Sequence, residues 1–300
     1  MGVHGLNIVV GIATTGRAEI LARTIELLAQ QTRLPDRLVI CPARAGDVDA
    51  STLERFPMPA AVVQGPVGLP AQRNKILAAA VPADIIVFFD DDFFVEPDYL
   101  ANLENIFVAH PDVVGVTGAL LADGAQGPGL SVEQGLQIIR SSQPAKNDPA
   151  NPDFIDCYGA YGCNMAFRLK CIELNGIWFD ENLPLYGWQE DIDFSQRLLP
   201  YGRIAKSAAL RGVHLGIKLG RTSGVRFGYS QIANPVYLIA KGTMSWRHAG
   251  KLIWRNLAAN SVRCIYPEPW IDRKGRLKGN VLALIDMALG RISPLRILQL

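Results

Sequence analysis

Ile85-Ile86-Val87-Phe88-Phe89-Asp90-Asp91-Asp92 is the stretch from which the rest of the chain is read. Five apolar residues, three of them β-branched, read as a strand buried on both faces. Three carboxylates follow at its C-terminal end, where an open α/β sheet places its ligands. Carboxylates crowded by a rigid strand repel one another, and a divalent cation bound to phosphate relieves that repulsion. The pattern suits a nucleoside diphosphate carrying Mg²⁺ or Mn²⁺. The plainer alternative is a solvated Asp-rich turn, so the flanking sequence decides between them.

Upstream, Asn7-Ile8-Val9-Val10-Gly11-Ile12-Ala13 is an apolar run that ends in Thr14-Thr15-Gly16-Arg17. A helical pattern follows through Ile20, Leu21, Ile25 and Leu28. Strand, polar turn and helix open a nucleotide-binding βα unit. Thr14 is placed to cap the helix, and the turn's N–H groups and Arg17 are placed to meet a phosphate or base edge. Neither GxGxxG nor GxxxxGK[ST] occurs, which excludes the dinucleotide and P-loop fingerprints. Second and third strands are expected at Arg37–Cys41 and Ala60–Val63. Gly68 and Pro70 then frame the entry to a helix through Ile76, Leu77 and Ala80. Arg73 and Asn74 fall in its first turns, expected to face the sheet's C-terminal edge, with an ordinary surface pair as the alternative.

Downstream, a helix is expected over Tyr99–Val108 and a buried strand over Val113–Ala119. The Gly-, Pro-, Gln- and Ser-rich segment Ala122–Asn151 holds a short helix at Val132–Arg140 and a loose stretch over Ser141–Pro152. It reads as a mobile active-site flap. Small residues and Asn164 interrupt a strand pattern over Tyr158–Arg168, which suits close approach of backbone to a ligand. Trp188-Gln189-Glu190-Asp191 opens a helix whose core stripe is Phe194, Leu198 and Leu199. Its acids therefore occupy the first turn, where the macrodipole favours their charge. Glu190 and Asp191 project in different directions, so one can be structural while the other points at a substrate. His214 ends an apolar segment 23 residues later, either as a structural residue or at the same edge of the sheet. A basic loop over Gly216–Gly228, with Arg221 and Arg226, suits closure over a diphosphate. One helix is expected from Asn234 to about Ile265, and another from about Gly279.

At 300 residues and 49% hydrophobic, the chain supports one large α/β domain or two small ones. Its five Cys form no CxxC pair, and their number is odd, so neither a zinc site nor a disulfide framework is indicated. No apolar run is long enough to cross a bilayer, and the first residues lack a secretory pattern, so a cytoplasmic location is expected. The net charge of +2 hides an asymmetry. Residues 241–300 hold eleven Lys and Arg against three acids, a net +8, which leaves −6 for residues 1–240. Such a tail expects an anionic partner, a membrane surface or a phosphorylated acceptor; without aromatic-rich binding motifs, nucleic acid is not expected.

Taken in order, Thr14-Thr15-Gly16-Arg17, Gly68 with Arg73-Asn74, Asp90-Asp91-Asp92, and Trp188-Gln189-Glu190-Asp191 followed by His214 resemble the family 2 glycosyltransferases over about residues 7–228. The resemblance implies the GT-A fold, an α/β Rossmann-like mixed sheet flanked by helices. It implies a catalytic domain at 1–228, followed by a basic helical extension at 229–300. By the same likeness, Thr14, Arg17, Arg73, Asn74, Asp90 and Asp91 contact a nucleotide-diphospho-sugar, UDP-sugars first among them. Asp92 and His214 hold Mn²⁺ or Mg²⁺, and Asp191 of the Glu190-Asp191 pair is the general base of an inverting transfer to a sugar or lipid-linked hydroxyl. Cell-surface polysaccharide or glycolipid assembly at the inner membrane face is the implied setting. One departure is Cys41, which stands where many members carry a base-contacting acid. The rival readings are a sugar-nucleotide-forming nucleotidyltransferase, whose Gly-rich phosphate loop is missing, and a non-catalytic sugar-nucleotide or glycan-binding module.

Overall fold

Alternating apolar residues build the centre of the molecule, which a computed structural model describes over residues 5–143, 154–218 and 222–300. Strand β1 (Ile8–Thr14) leads into helix α1 (Ala18–Leu28), and β2 (Arg37–Pro42) is followed by the short α2 (Ala50–Glu54) and β3 (Ala60–Val62). Helix α3 (Leu69–Ala80), the central β4 (Ile85–Asp90), β5 (Phe93–Val95) and α4 (Tyr99–Ala109) come next. They are followed by β6 (Val113–Asp123), α5 (Val132–Ser141), β7 (Phe154–Asp156), β8 (Asn164–Arg168), α6 (Leu169–Leu174), α7 (Glu190–Leu198) and β9 (Arg203–His214). Three helices close the chain, α8 (Gly224–Lys241), α9 (Trp246–Arg263) and α10 (Arg273–Ala288).

The main path of the sheet runs β3-β2-β1-β4-β8-β6-β9-β5, with β7 paired to β9. Strands β1 to β4 are mutually parallel, whereas β8 runs antiparallel between β4 and β6. This is the mixed, helix-flanked sheet that the resemblance implies. Because side chains alternate along a strand, Ile85, Val87 and Phe89 of β4 pack with α1 and α4 on one face. Ile86 and Phe88 pack with α3, α6 and α7 on the other. The carboxylates are thus delivered at the rim of a sheet whose body is buried on both sides.

Four expectations need correction. Strand β6 runs to Asp123, past the expected end at Ala119, and α5 packs with Phe94, Val213 and Leu215 rather than standing off the sheet. The remainder of the expected flap, 144–153, lies outside the described residues, as does Arg221. The basic loop after His214 ends by Ser223, whose hydroxyl caps α8, so Arg226 is helical. The long C-terminal helix is really two. Gly242 ends α8 in a left-handed conformation (φ 83°), and Ser245 caps α9, while α10 starts at Arg273 rather than near Gly279. Helices α8 and α10 cross closely: a Cβ on Gly228 would lie 2.1 Å from the Arg276 carbonyl, and one on Gly279 2.1 Å from that of Val225.

Candidate active site

The site grows from the three carboxylates at the end of β4. Asp91 turns inward, where its carboxylate accepts from the Thr14 hydroxyl at 2.7 Å and pairs with Arg17 Nη1 at 3.0 Å. Thr14 and Asp91 are both buried, so they fasten the β1 turn to the β4 turn. The same Arg17 nitrogen lies 3.1 Å from Asp92, while its buried Nε finds no partner among the described residues. Gly16, in a left-handed turn, donates its N–H to Asp47 at 2.8 Å. Asp47 lies beyond the end of β2, and no sequence motif marks it.

Asp92 and His214 meet because β5 and β9 are paired, with Phe93 opposite His214. His214 Nε2 is 3.4 Å from Asp92 Oδ1 and 3.9 Å from Asp90, and Nδ1 is 2.9 Å from Asp123. Asp123 is a second residue the sequence does not disclose; the β6–β9 register sets it opposite His214. Ligand atoms of Asp90, Asp92 and His214 all fall within 4.8 Å of one another. Asp92 Oδ1 is buried without a hydrogen-bond partner among the described residues. An orphaned carboxylate oxygen beside an imidazole, with a further carboxylate orienting that ring, is a donor set that fits Mn²⁺ or Mg²⁺. Burial works against charge on both groups. Even so, the neighbouring His214 holds Asp92 low, and the bond to Asp123 together with the charge of Asp92 pushes His214 up to about 10. Burial raises Asp91 to about 7 against the pull of Arg17.

Arg73 joins this cluster to α7. Its guanidinium is buried, lies 5.7 and 5.6 Å from the ring centres of Phe88 and Phe179, and reaches three oxygens. One nitrogen pairs with Glu190, and the other bonds the Gly162 carbonyl at 2.7 Å and Asp90 at 3.2 Å. The Gly162 N–H in turn donates to Asp191 Oδ2 at 3.0 Å, and the Ile192 N–H to Oδ1 at 2.9 Å. The two acids of α7 thus diverge, Glu190 to Arg73 and Asp191 to the β8 approach. Burial raises Asp191 above its ordinary value and pushes Glu190 up to about 8, against Arg73. The loop that presents them holds three left-handed residues, Leu185, Gly187 and Gln189 (φ 59°, 62° and 74°). Left-handed non-Gly residues concentrate where function demands a fixed backbone.

Asn74 stands apart. Expected beside the nucleotide, it has both ends of its amide engaged, Oδ1 by the Phe179 N–H and Nδ2 by the Phe179 carbonyl and Glu181. It braces the approach to α7. Cys41 is buried, and its carbonyl takes a 2.7 Å bond from Gln72. The structure therefore gathers Thr14, Arg17, Arg73, Asp90, Asp91, Asp92, Glu190, Asp191 and His214 into one linked set and leaves Asn74 out of it.

The family model described as glycosyl transferase family 2 matches residues 9–173. The match includes Thr14, Arg17, Arg73 and the three aspartates but stops before Glu190, Asp191 and His214. No curated protein sequence matches the chain. Among similar solved structures, TarS 1-349 of S. aureus in complex with UDP-GlcNAc has a TM-score of 0.57 at 15% identity, covering 97% of this chain and 83% of that one. The mannosyltransferase PcManGT from Pyrobaculum calidifontis, in complex with GDP-Man and Mn²⁺, has a TM-score of 0.54 at 14% identity, covering 99% and 79%. GalNAc-T7 with UDP, GalNAc and Mn²⁺ has a TM-score of 0.56 at 13% identity, covering 96% and 57%. The chain spans 46% of the longer TarS structure. At these identities the likeness is one of fold.

Proposed function

The chain belongs to glycosyl transferase family 2, and from that premise we propose that it moves a sugar from a nucleotide-diphosphate donor to a hydroxyl acceptor with inversion, Asp191 serving as general base. The observation that carries this reading is the continuous chain of contacts from Asp92 and His214 through Asp90, Arg73 and Gly162 to Asp191. It links a cation-binding corner to a carboxylate presented by a different helix.

Asp191 is fixed by two backbone N–H groups, one on each oxygen, and its remaining lone pairs are available to an acceptor hydroxyl. Such a carboxylate takes the hydroxyl proton as the proton becomes acidic in the transition state, an effect worth roughly 10²–10⁴-fold. Glu190 stays with Arg73 and holds it between the two halves of the site. Arg17 offers its spare Nε–H, and a guanidinium now shared by two aspartates, to the leaving diphosphate. Asp92 and His214, with Asp90 in reach, would hold Mn²⁺ or Mg²⁺, which when bound neutralises charge on the diphosphate. UDP-sugars are the first donors to try, GDP-sugars the second, with a sugar or a lipid-linked hydroxyl in cell-surface glycan assembly as acceptor.

The test is a panel of sugar nucleotides screened for released nucleoside diphosphate, with Mn²⁺, with Mg²⁺ and with chelator. One donor should be turned over in a cation-dependent way and stimulated by acceptor. Binding of a donor with neither hydrolysis nor transfer under any cation would favour a binding module instead.

A further inference from the structure

Helix α9 combines exposed aromatic residues with cations. Over its 18 residues it carries no Asp or Glu, while Arg247, Lys251, Arg255 and Arg263 give it four cations. It packs inward through Ala249, Ile253 and Asn260. Outward it shows Trp246, Trp254 and Val262, which are 70%, 69% and 71% exposed. Trp246 and Trp254 stand about two turns apart and about 80° apart in azimuth, and Trp254 borders the stripe formed by Arg247, Lys251 and Arg255. Cys264 follows Trp246 by eighteen residues, about five turns, and so has the same azimuth. On that side it lines a groove of about 410 Å³ with Lys274, Leu277, Lys278, Val281 and Leu282 of α10. The apolar and basic character therefore continues from α9 onto its neighbour.

We propose that this outer face of α9, continued onto α10, docks on an anionic phospholipid surface. Tryptophan seats at the headgroup boundary, and Lys and Arg stems cross apolar surface to reach lipid phosphates. The charge pattern selects this occupant over a second copy of the chain. Two α9 faces brought together would confront six cations, Arg247, Lys251 and Arg255 from each, whereas an anionic leaflet neutralises them. Among the described residues, no helix is long and apolar enough to cross a membrane, so the contact is peripheral.

The face is tied to the site. His248 in the first turn of α9 stacks on Tyr158 (4.2 Å, 9° between rings), and the Tyr158 hydroxyl accepts from the Ser245 N–H at 3.1 Å. Tyr158 opens the segment that ends at Gly162, the residue holding Asp191 and Arg73. The purpose of docking, delivery of a lipid-linked acceptor to Asp191, rests on the transfer reading above. The docking itself is measured without donor or acceptor.

Full-length protein is sedimented with vesicles of phosphatidylcholine alone and of phosphatidylcholine with phosphatidylglycerol, at low and high salt. The expected result is binding at least about tenfold tighter to the anionic vesicles, weakened by salt, with a blue shift of Trp emission. Trp246→Ser/Trp254→Ser and, separately, Lys251→Glu/Arg255→Glu should each weaken it by about tenfold or more, with unchanged circular dichroism. Equal binding to both vesicle types, or undiminished binding by both well-folded variants, overturns the proposal. So does a dimer in light scattering that the Trp variant dissolves. Vesicle binding without turnover of any donor would sink the transfer reading alone, and turnover without vesicle binding would sink only this one.

Discussion

Replacing Arg73 by Met removes the cation that joins the aspartate cluster to α7 while keeping an apolar stem between Phe88 and Phe179. Two buried acceptors lose their donor, one Glu190 oxygen and the Gly162 carbonyl. The other Glu190 oxygen already lacks a partner among the described residues. Left ionised and unpaired, a buried carboxylate costs about 3–5 kcal/mol. Protonation is the escape, because burial already pushes Glu190 up to about 8 with Arg73 opposing it, and loss of Arg73 carries it higher. At neutral pH the cost should therefore fall towards that of the unmet hydrogen bonds, about 1–3 kcal/mol. The sign follows from linkage. A carboxyl raised above its unfolded value of 4.5 contributes stability that is complete below that pH and is lost as pH climbs to the folded value. In the wild type this loss ends near pH 8, whereas in Arg73→Met it continues beyond, at about 1.4 kcal/mol per pH unit. Urea unfolding of Arg73→Met and Arg73→Met/Glu190→Gln at pH 6, 8 and 9 isolates the term, since glutamine does not titrate. The double variant should overtake the single one progressively above pH 8. Parallel curves for the two over that interval would refute the reasoning.

Four further outcomes are expected. Asp191→Asn should lower transfer by roughly 10²–10⁴-fold while calorimetric nucleotide affinity changes little; transfer within tenfold of wild type would remove Asp191 from the base role. Asp92→Ala should abolish the gain in nucleotide affinity conferred by Mn²⁺, measured by titration with and without the ion, and an unchanged gain would place the cation elsewhere. Burial opposes charge on Asp180, yet bonds from Lys241 and Tyr237 hold it down to about 2, so its stabilisation is complete above about pH 4 and lost as pH falls towards 2. Asp180→Asn should therefore flatten the acid arm of the stability curve by about 1 kcal/mol, read from denaturation at pH 5 and pH 2.5. Gly228→Ala meets the Arg276 carbonyl and should lower the melting free energy by about 1–3 kcal/mol, whereas Gly250→Ala in α9 meets nothing within 4 Å and should raise it by about 0.5–1 kcal/mol.

What the sequence disclosed was local. The strands β1 and β4 are buried on both faces, and the Gly68-Leu69-Pro70 entry to α3 and the acids opening α7 need only near neighbours to be recognised. What it withheld depends on register. Asp123 reaches His214 only because β6 runs four residues past Ala119 alongside β9, and Asp47 reaches Gly16 only through a turn after β2. Asn74 carries the same local signal as Arg73, one position away on the same helix. That single step redirects it from the carboxylates to Phe179 and Glu181. Gly242 reads as a tolerated helix interior until its left-handed conformation separates α8 from α9.

The C-terminal helices are part of what makes the site. Asp193, two residues after Asp191 and fully buried, accepts from Lys241 at 2.8 Å, Thr243 at 2.7 Å and Arg197 at 2.8 Å. Lys241 also pairs with Asp180 on the loop before α7, and Asn234 donates to the Trp188 carbonyl at 2.8 Å. Leu183 and Ile192 pack with Leu238, Met244 and Ala249 beneath these bonds. The helix that presents Asp191 is therefore held from one side by Arg73 of α3 and Gly162 before β8, and from the other by the end of α8. A buried charge network of this kind fixes geometry at the expense of desolvation, so loosening one member misplaces the rest. The C-terminal helices therefore brace, on their inner side, the helix that carries the proposed base, and the docking proposed above would use their opposite side.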